Sequence, residues 1–282
     1  RPTLTPGALR DAPALIESVF PAQKVSFEAQ RERKANLGQT LTGLGSYWKG
    51  RKPLILVRAI LLGTLLPQTS DPDADLDLFE SLLAFDNESL ARRALANNSF
   101  SPKILRELIP IDQPERYFTG SGWRRDIGPT EKLDLYRIAI ATRGSYEQKA
   151  ALCKRPEEVD ADWLYAHVWP KVNRHYAHLG IQAHSFDQLI EQIGALRYGR
   201  RPRVADTFSG GGSIPFEAAR LGCDVYASDL NPIACLLTWG ALNVVGAPAH
   251  RRVEIERAQH RLLARVDEDI TALGIEHDAA GN

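Results

Sequence analysis

One run constrains the fold more than any other: Val204-Ala205-Asp206-Thr207-Phe208-Ser209-Gly210-Gly211-Gly212-Ser213-Ile214-Pro215-Phe216-Glu217-Ala218-Ala219. It reads as a short strand, a glycine turn and the first turns of a helix, the opening half of a βαβ unit. A second short strand, Cys223-Asp224-Val225-Tyr226-Ala227-Ser228, leads to Asp229, twenty-three residues after Asp206. Two carboxylates are therefore expected at strand ends on either side of a glycine turn. Ser213 reads as the helix N-cap. Pro215 is tolerable because it falls in the first turn, where backbone N–H groups lack helical partners anyway.

That arrangement argues against a dinucleotide. The fingerprint G-x-G-x-x-G needs a third glycine for close helix–strand packing. Counted from Gly210, the third position is Pro215. An acidic residue about twenty positions on is common to both kinds of site, so Asp229 alone discriminates nothing. Asp206, four residues before the first glycine, does discriminate. A carboxylate there repels a pyrophosphate and attracts an ammonium group, which points to S-adenosylmethionine.

Asp-x-Phe-x-Gly-x-Gly followed by Glu-Ala-Ala resembles motif I of DNA amino-methyltransferases, which methylate the exocyclic amine of adenine or cytosine. The stretch through Asp229-Leu230-Asn231-Pro232-Ile233-Ala234 resembles one branch, the large adenine-specific DNA methyltransferases found beside anti-phage defence genes. Members of that branch have an N-terminal domain of unknown function with a Trp/Arg/Pro-rich element. The run from Asn36 to Pro53, ending Tyr47-Trp48-Lys49-Gly50-Arg51-Lys52-Pro53, is similar to it. The resemblance implies that Asp206 binds the methionine amine and that Phe208, Ser209, Gly210, Gly211 and Gly212 approach methionine and ribose with their backbone. It further implies that Asp229 accepts from the ribose hydroxyls and that Leu230 packs on the adenine.

The same family carries a catalytic Asp/Asn/Ser-Pro-Pro-aromatic motif, and the sequence has none. Asp71-Pro72-Asp73, Asn231-Pro232-Ile233 and Trp169-Pro170-Lys171 each lack the second proline and the aromatic after it. In the family that motif lies downstream of motif I. With Arg1 at its start and no Met in its 282 residues, the chain is expected to be a fragment lacking the catalytic centre.

Apolar residues make up 44% and charged residues 25%, ordinary for a soluble globular protein. No apolar run is long enough to span a bilayer and no secretory signal is present, so a cytoplasmic, membrane-free setting is expected. Cys153, Cys223 and Cys235 form no C-x-x-C pair. That disfavours a zinc ribbon or disulfide framework and suggests buried thiols in a reducing compartment. Formal net charge is zero, against tight nucleic-acid binding through a global field. The charges are nevertheless clustered. Basic groups gather at Arg31-Glu32-Arg33-Lys34, Lys49-Gly50-Arg51-Lys52, Arg124-Arg125, and Arg197 with Arg200, Arg201 and Arg203. Acidic groups gather from Asp71 to Asp77. A basic cleft on a neutral protein fits that pattern, as do solvated surfaces.

Helices are expected over 9–20 and 22–35, from Pro53 to Pro67, over 74–84 and 87–97, and over 101–109. Others are expected from Asp160 to about His178, interrupted at Pro170, and from Phe186 to Tyr198. Gly38 to Ser46 reads as a loop. Residues 110–129, rich in Pro, Gly and aromatics, read as irregular and as a candidate substrate-facing element. His167, His175 and His178 read as exposed helical histidines and His184 as a loop residue, with no metal site. Trp48, Lys49, Arg51 and Lys52 can stack on a base and neutralise phosphates, or the Trp can simply anchor the loop to the core.

The expected fold is α/β: a mostly helical N-terminal part followed by the start of a Rossmann-like S-adenosylmethionine-dependent methyltransferase domain. The expected divisions are 1–69, a helical segment with a Trp/basic loop; 70–199, helical and irregular; and 200–282, the first half of the cofactor-binding domain. Expected partners are DNA and other proteins of a defence or restriction-modification system. The alternatives are an RNA or small-molecule methyltransferase, or a non-catalytic module that binds cofactor or partners.

Overall fold

The computed structural model describes residues 4–35 and 51–274, so Trp48, Lys49 and the loop expected from Gly38 to Ser46 lie outside it. The fold is mixed α/β and mostly helical. Its first helices are α1 (Ala22–Lys34), α2 (Leu54–Leu65), α3 (Pro72–Leu82), α4 (Asn87–Ala96) and α5 (Pro102–Leu108). A two-strand antiparallel hairpin follows, β1 (Phe118–Thr119) and β2 (Gly122–Trp123). Next come α6 (Pro129–Ala141), α7 (Tyr146–Ala150), α8 (Ala161–Tyr165), α9 (Val168–His175) and α10 (Phe186–Tyr198). The chain then enters β3 (Arg203–Asp206), α11 (Ser213–Leu221), β4 (Asp224–Ala227), α12 (Pro232–Gly240) and α13 (Ala249–Leu273).

Local chemistry explains most helix boundaries. Asp71, Asp86, Ser101, Ser145, Asp160 and Ser185 each precede a helix and accept a hydrogen bond from a first-turn N–H, the common N-cap device. α10 ends at Gly199 with φ +67°, a left-handed C-terminal stop that glycine adopts without strain. α2 is capped from outside its own sequence. The buried Glu32 carboxylate of α1 accepts from Leu54 N–H at 2.9 Å and Ile55 N–H at 3.3 Å.

Three segments differ from the sequence expectation. Residues 9–20 hold only a 3₁₀ turn at Leu15–Glu17. Their backbone is diverted to the end of α2: Leu15 N–H donates to Leu66 C=O, Gln68 N–H to Pro13 C=O, and Ala14 bridges Pro67. The 160–178 helix breaks at Ala166 and His167, ahead of Pro170, which sits in the first turn of α9. There a proline costs no hydrogen bond. Within 110–129 the chain forms the hairpin, on which Arg106 stacks over Phe118 and Lys132 over Trp123.

The largest core joins Leu62, Leu65, Leu78, Phe79 and Leu82 of α2 and α3 to Leu189, Ile193 and Leu196 of α10 and to Ala218 and Leu221 of α11. A second core packs α4 against α6 around Leu90, Leu105, Tyr136 and Ile140. Arg197, read from sequence as part of a basic cluster, is instead buried. It donates to the carbonyls of Leu65 at 2.5 Å and Ala12 at 2.9 Å, tying the N-terminal segment to α2 and α10. Arg93 is fully buried too, donating to Glu28 at 2.5 Å and to the Ala84 and Lys154 carbonyls. Such a guanidinium is stable inside only because its charge and its donors are met.

Two further expectations change. Cys153 and Cys223 are buried, but Cys235 is exposed. His167 and His175 are part-buried rather than exposed: they meet Asp86 at 3.1 Å and the fully buried Asp75 at 2.8 Å, an acidic partner each that lies 81 and 100 residues away in sequence. Among the described residues no single helix is long and apolar enough to cross a membrane, and no group of three His, Cys, Asp or Glu side chains is placed to hold a metal.

Candidate functional site

β3 and β4 pair in parallel with Asp206 opposite Ala227, and α11 crosses between them as the helix of a βαβ unit. Both strands end on the same side. In open α/β sheets ligands bind beyond the carboxyl ends of parallel strands, and there the chain places Asp206, the glycine loop and Asp229.

The loop is held by its own backbone and by both carboxylates. Asp206 Oδ1 accepts from Phe208 N–H at 3.2 Å, and Asp206 C=O accepts from Ser228 N–H at 3.0 Å. Ser209 N–H donates to Ser228 C=O at 3.1 Å, stitching the loop to the end of β4. Asp229 Oδ2 accepts from Gly210 N–H at 2.9 Å and Oδ1 from Asn231 N–H at 2.9 Å. These backbone hydrogen bonds, Asn231 first and Gly210 second, hold the Asp229 carboxyl below its usual pKa. The carboxylate still has acceptor capacity, since its two oxygens offer about four lone-pair sites.

Gly212 has a structural requirement of its own. Its φ is +77°, and a Cβ there would lie 2.8 Å from Thr238 Oγ1 and 3.0 Å from Thr238 Cα. The loop thus rests against α12, with Thr238 Oγ1 donating to Ser209 Oγ at 3.2 Å. Gly212, not Ser213, occupies the N-cap position of α11. Ser213 is the first helical residue, and its buried hydroxyl caps nothing.

A cavity of about 110 Å³ opens at this loop. It is lined by Asp206, Phe208, Ser209, Gly210, Gly211, Ser213 and Ile214 on the loop side, and by Arg51 and Lys52 from the approach to α2. Phe208 is 77% and Leu230 92% exposed, a placement for large apolar side chains that leaves them open to a ligand. On the far side of Ser209 a broader cleft is lined by Pro232, Cys235, Leu236 and Trp239 of α12. Of the residues proposed from sequence, Asp206, Phe208, Ser209, Gly210, Gly211, Arg51 and Lys52 share this cavity and Asp229 is bonded to Gly210, whereas Gly212 and Leu230 do not line it and Trp48 and Lys49 lie outside the described residues.

Sequence reading missed what supports the loop from behind. Arg58 of α2 donates to Glu217 of α11 at 2.5 Å and to Tyr165 Oη at 2.7 Å, with Arg58 and Glu217 both buried. Arg220 meets the second Glu217 oxygen at 2.6 Å. Arg58 and Glu217 stand 159 positions apart, so no spacing could pair them. A charged residue in the otherwise apolar run Leu54–Leu62 was the available signal.

Residues 19–84 match the model of DUF1156, a protein family of unknown function. That segment contains α1, α2 and α3, and with them Arg51, Lys52 and Arg58. No curated protein and no solved structure matches the chain.

Proposed function

We propose that the chain binds S-adenosylmethionine at the β3–α11–β4 loop, as the cofactor-binding part of a Rossmann-like methyltransferase acting on an exocyclic amine of DNA. The observation that carries the cofactor reading is the joint placement of two carboxylates at the carboxyl ends of parallel strands, with Asp229 bonded to the glycine loop between them. Asp206 lies on the cavity and offers a negative charge to the cofactor's ammonium group. Asp229 has acceptor sites left for two ribose hydroxyls, and the exposed Leu230 beside it offers a surface for the adenine. The sulfonium makes the methyl group reactive, and the protein's part is placement.

Adenine in DNA as the target, and an anti-phage or restriction-modification setting with other defence proteins, rest on the resemblance of motif I and of the Asn36–Pro53 run. No residue is assigned to holding the target amine. Arg51 and Lys52, candidates for DNA phosphates, line the loop cavity, which favours contact with the bound cofactor.

Calorimetric titration separates this reading from a dinucleotide site. S-adenosylmethionine and S-adenosylhomocysteine are expected to bind, and NAD is expected neither to bind nor to displace them. Binding of NAD in preference to S-adenosylmethionine overturns the proposal.

A further inference from the structure

α13 is the longest helix among the described residues, and none of its 25 residues is buried. At 1.5 Å per residue it runs about 37 Å. Pro248 precedes it, and Gly274 ends it with φ +64°. An apolar stripe on a helix is normally its packed face. Here Ile255, Ala258, Leu262, Val266, Ile270 and Leu273 form such a stripe, with Leu262 64% and Leu273 71% exposed. Their spacings are 3, 4, 4, 4 and 3 residues, whose mean is the helical period of about 3.6. The stripe therefore runs straight along one side of the helix, and an apolar surface of this kind marks a contact with another chain.

The spacing is also palindromic. An isologous two-fold contact needs that property, because wherever residue i meets residue j, j must meet i. Laid antiparallel on a second copy of itself, the helix sets Ile255 against Leu273, Ala258 against Ile270 and Leu262 against Val266, each pair occurring twice. Gln259 and Asp269, the polar residues within the stripe, oppose each other in the same register. The charges agree with it. Arginines dominate from Arg251 to Arg265, and Asp267, Glu268 and Asp269 cluster after them. Antiparallel pairing brings Arg261 beside Glu268 of the second copy and His260 beside Asp267, whereas parallel pairing would set each acidic cluster against its own copy. Among the described residues α13 pairs Arg251 with Glu254 at 2.7 Å and Arg265 with Asp269 at 3.4 Å, which leaves Arg261 and Glu268 without an ionic partner.

We propose that α13 is a self-association surface through which two copies of the chain form an antiparallel two-fold dimer. No residue of α13 lines the cavity at the glycine loop, so the inference is independent of the cofactor reading.

Sedimentation velocity of the whole chain tests it. Wild type is expected to sediment as a dimer at micromolar concentration. Leu262→Glu, which places a charge inside the contact, should weaken dimerisation by roughly a hundredfold or more. Ala264→Glu, on the opposite side of the helix, should dimerise like wild type and shows that a new glutamate does not itself disrupt α13. Arg261→Glu should weaken the dimer several-fold, and Arg261→Glu/Glu268→Arg should restore it. A monomeric wild type overturns the proposal and assigns the stripe to another segment or another protein. A dimer that survives Leu262→Glu places the contact elsewhere and overturns it too. Failure of the charge-swapped variant to recover overturns the antiparallel pairing.

Discussion

Asp229 accepts a hydrogen bond from the backbone N–H of Gly210 at 2.9 Å, so the end of β4 and the turn after β3 form one hydrogen-bonded unit. Here Asp229 fixes the loop and keeps acceptor sites open toward solvent, as the proposed cofactor site requires.

Phe208 and Leu230 provide a test that separates binding from folding. Both are strongly exposed, and truncating exposed side chains usually changes stability by within about 0.5 kcal/mol. Phe208→Ala and Leu230→Ala should therefore melt like wild type while binding S-adenosylmethionine several-fold more weakly. Loss of melting temperature with unchanged binding would show that they serve the fold.

Gly212→Ala should damage both loop and ligand binding. A left-handed backbone costs a non-glycine residue roughly 1–2 kcal/mol, and the added Cβ would meet the Thr238 backbone at 3.0 Å. Urea denaturation should show at least that loss, together with weaker cofactor binding. A neutral substitution would mean that the loop and α12 are not in close contact.

The Arg58–Glu217 pair should behave as a buried ion pair. Removing one partner leaves a buried charge and typically costs about 3–5 kcal/mol. Because Arg220 still contacts Glu217, Arg58→Met should fall near the lower end. The double variant Arg58→Met/Glu217→Met should recover most of the loss, as measured in a double-mutant cycle. Additive losses would show that the two charges do not interact.

Acid should destabilise the helical part in a definite window. Burial alone would raise the Glu28 carboxyl, but Arg93 and Arg31 outweigh it and hold Glu28 below its usual pKa. Burial would likewise raise Asp86, but hydrogen bonds with His167 and Ser89 outweigh it. Both groups therefore contribute stability that is complete above the usual carboxylate range of about 4 and is lost as pH falls through their lower folded values. Glu32 works in the opposite sense: burial raises its pKa, so its ionisation opposes folding and protonation relieves that cost. Denaturation midpoints should fall below about pH 4, with a shallower slope in Glu28→Gln. An unchanged slope would contradict the role given to Glu28.

The local structure of the candidate site was more legible in the sequence than the helices that support it. Asp206, the glycine run and Asp229 are legible because strand ends and tight turns are local features. α10 was legible end to end, since Ser185 and Gly199 mark its limits. Residues 9–20 misled because their apolar spacing is helical, while their backbone is taken up by the end of α2. His167, His175 and Arg197 misled, and Arg58 was missed, for a related reason. Their partners lie 81 to 159 positions away for His167, His175 and Arg58, and up to 188 for Arg197, and pairing over such distances leaves no periodic trace. Ser213 looked like a cap because serine usually is one, but the left-handed Gly212 displaced it by one residue.

The central claim is tested most directly by titrating S-adenosylmethionine into wild type, Asp206→Ala and Asp229→Ala. Hydrogen bonds to charged groups are worth about 1.5–3 kcal/mol, so each variant should bind roughly 10- to 150-fold more weakly than wild type while remaining folded. Saturable binding by wild type with that loss in both variants is the predicted result. No binding by wild type, or equal binding by all three, would contradict the account.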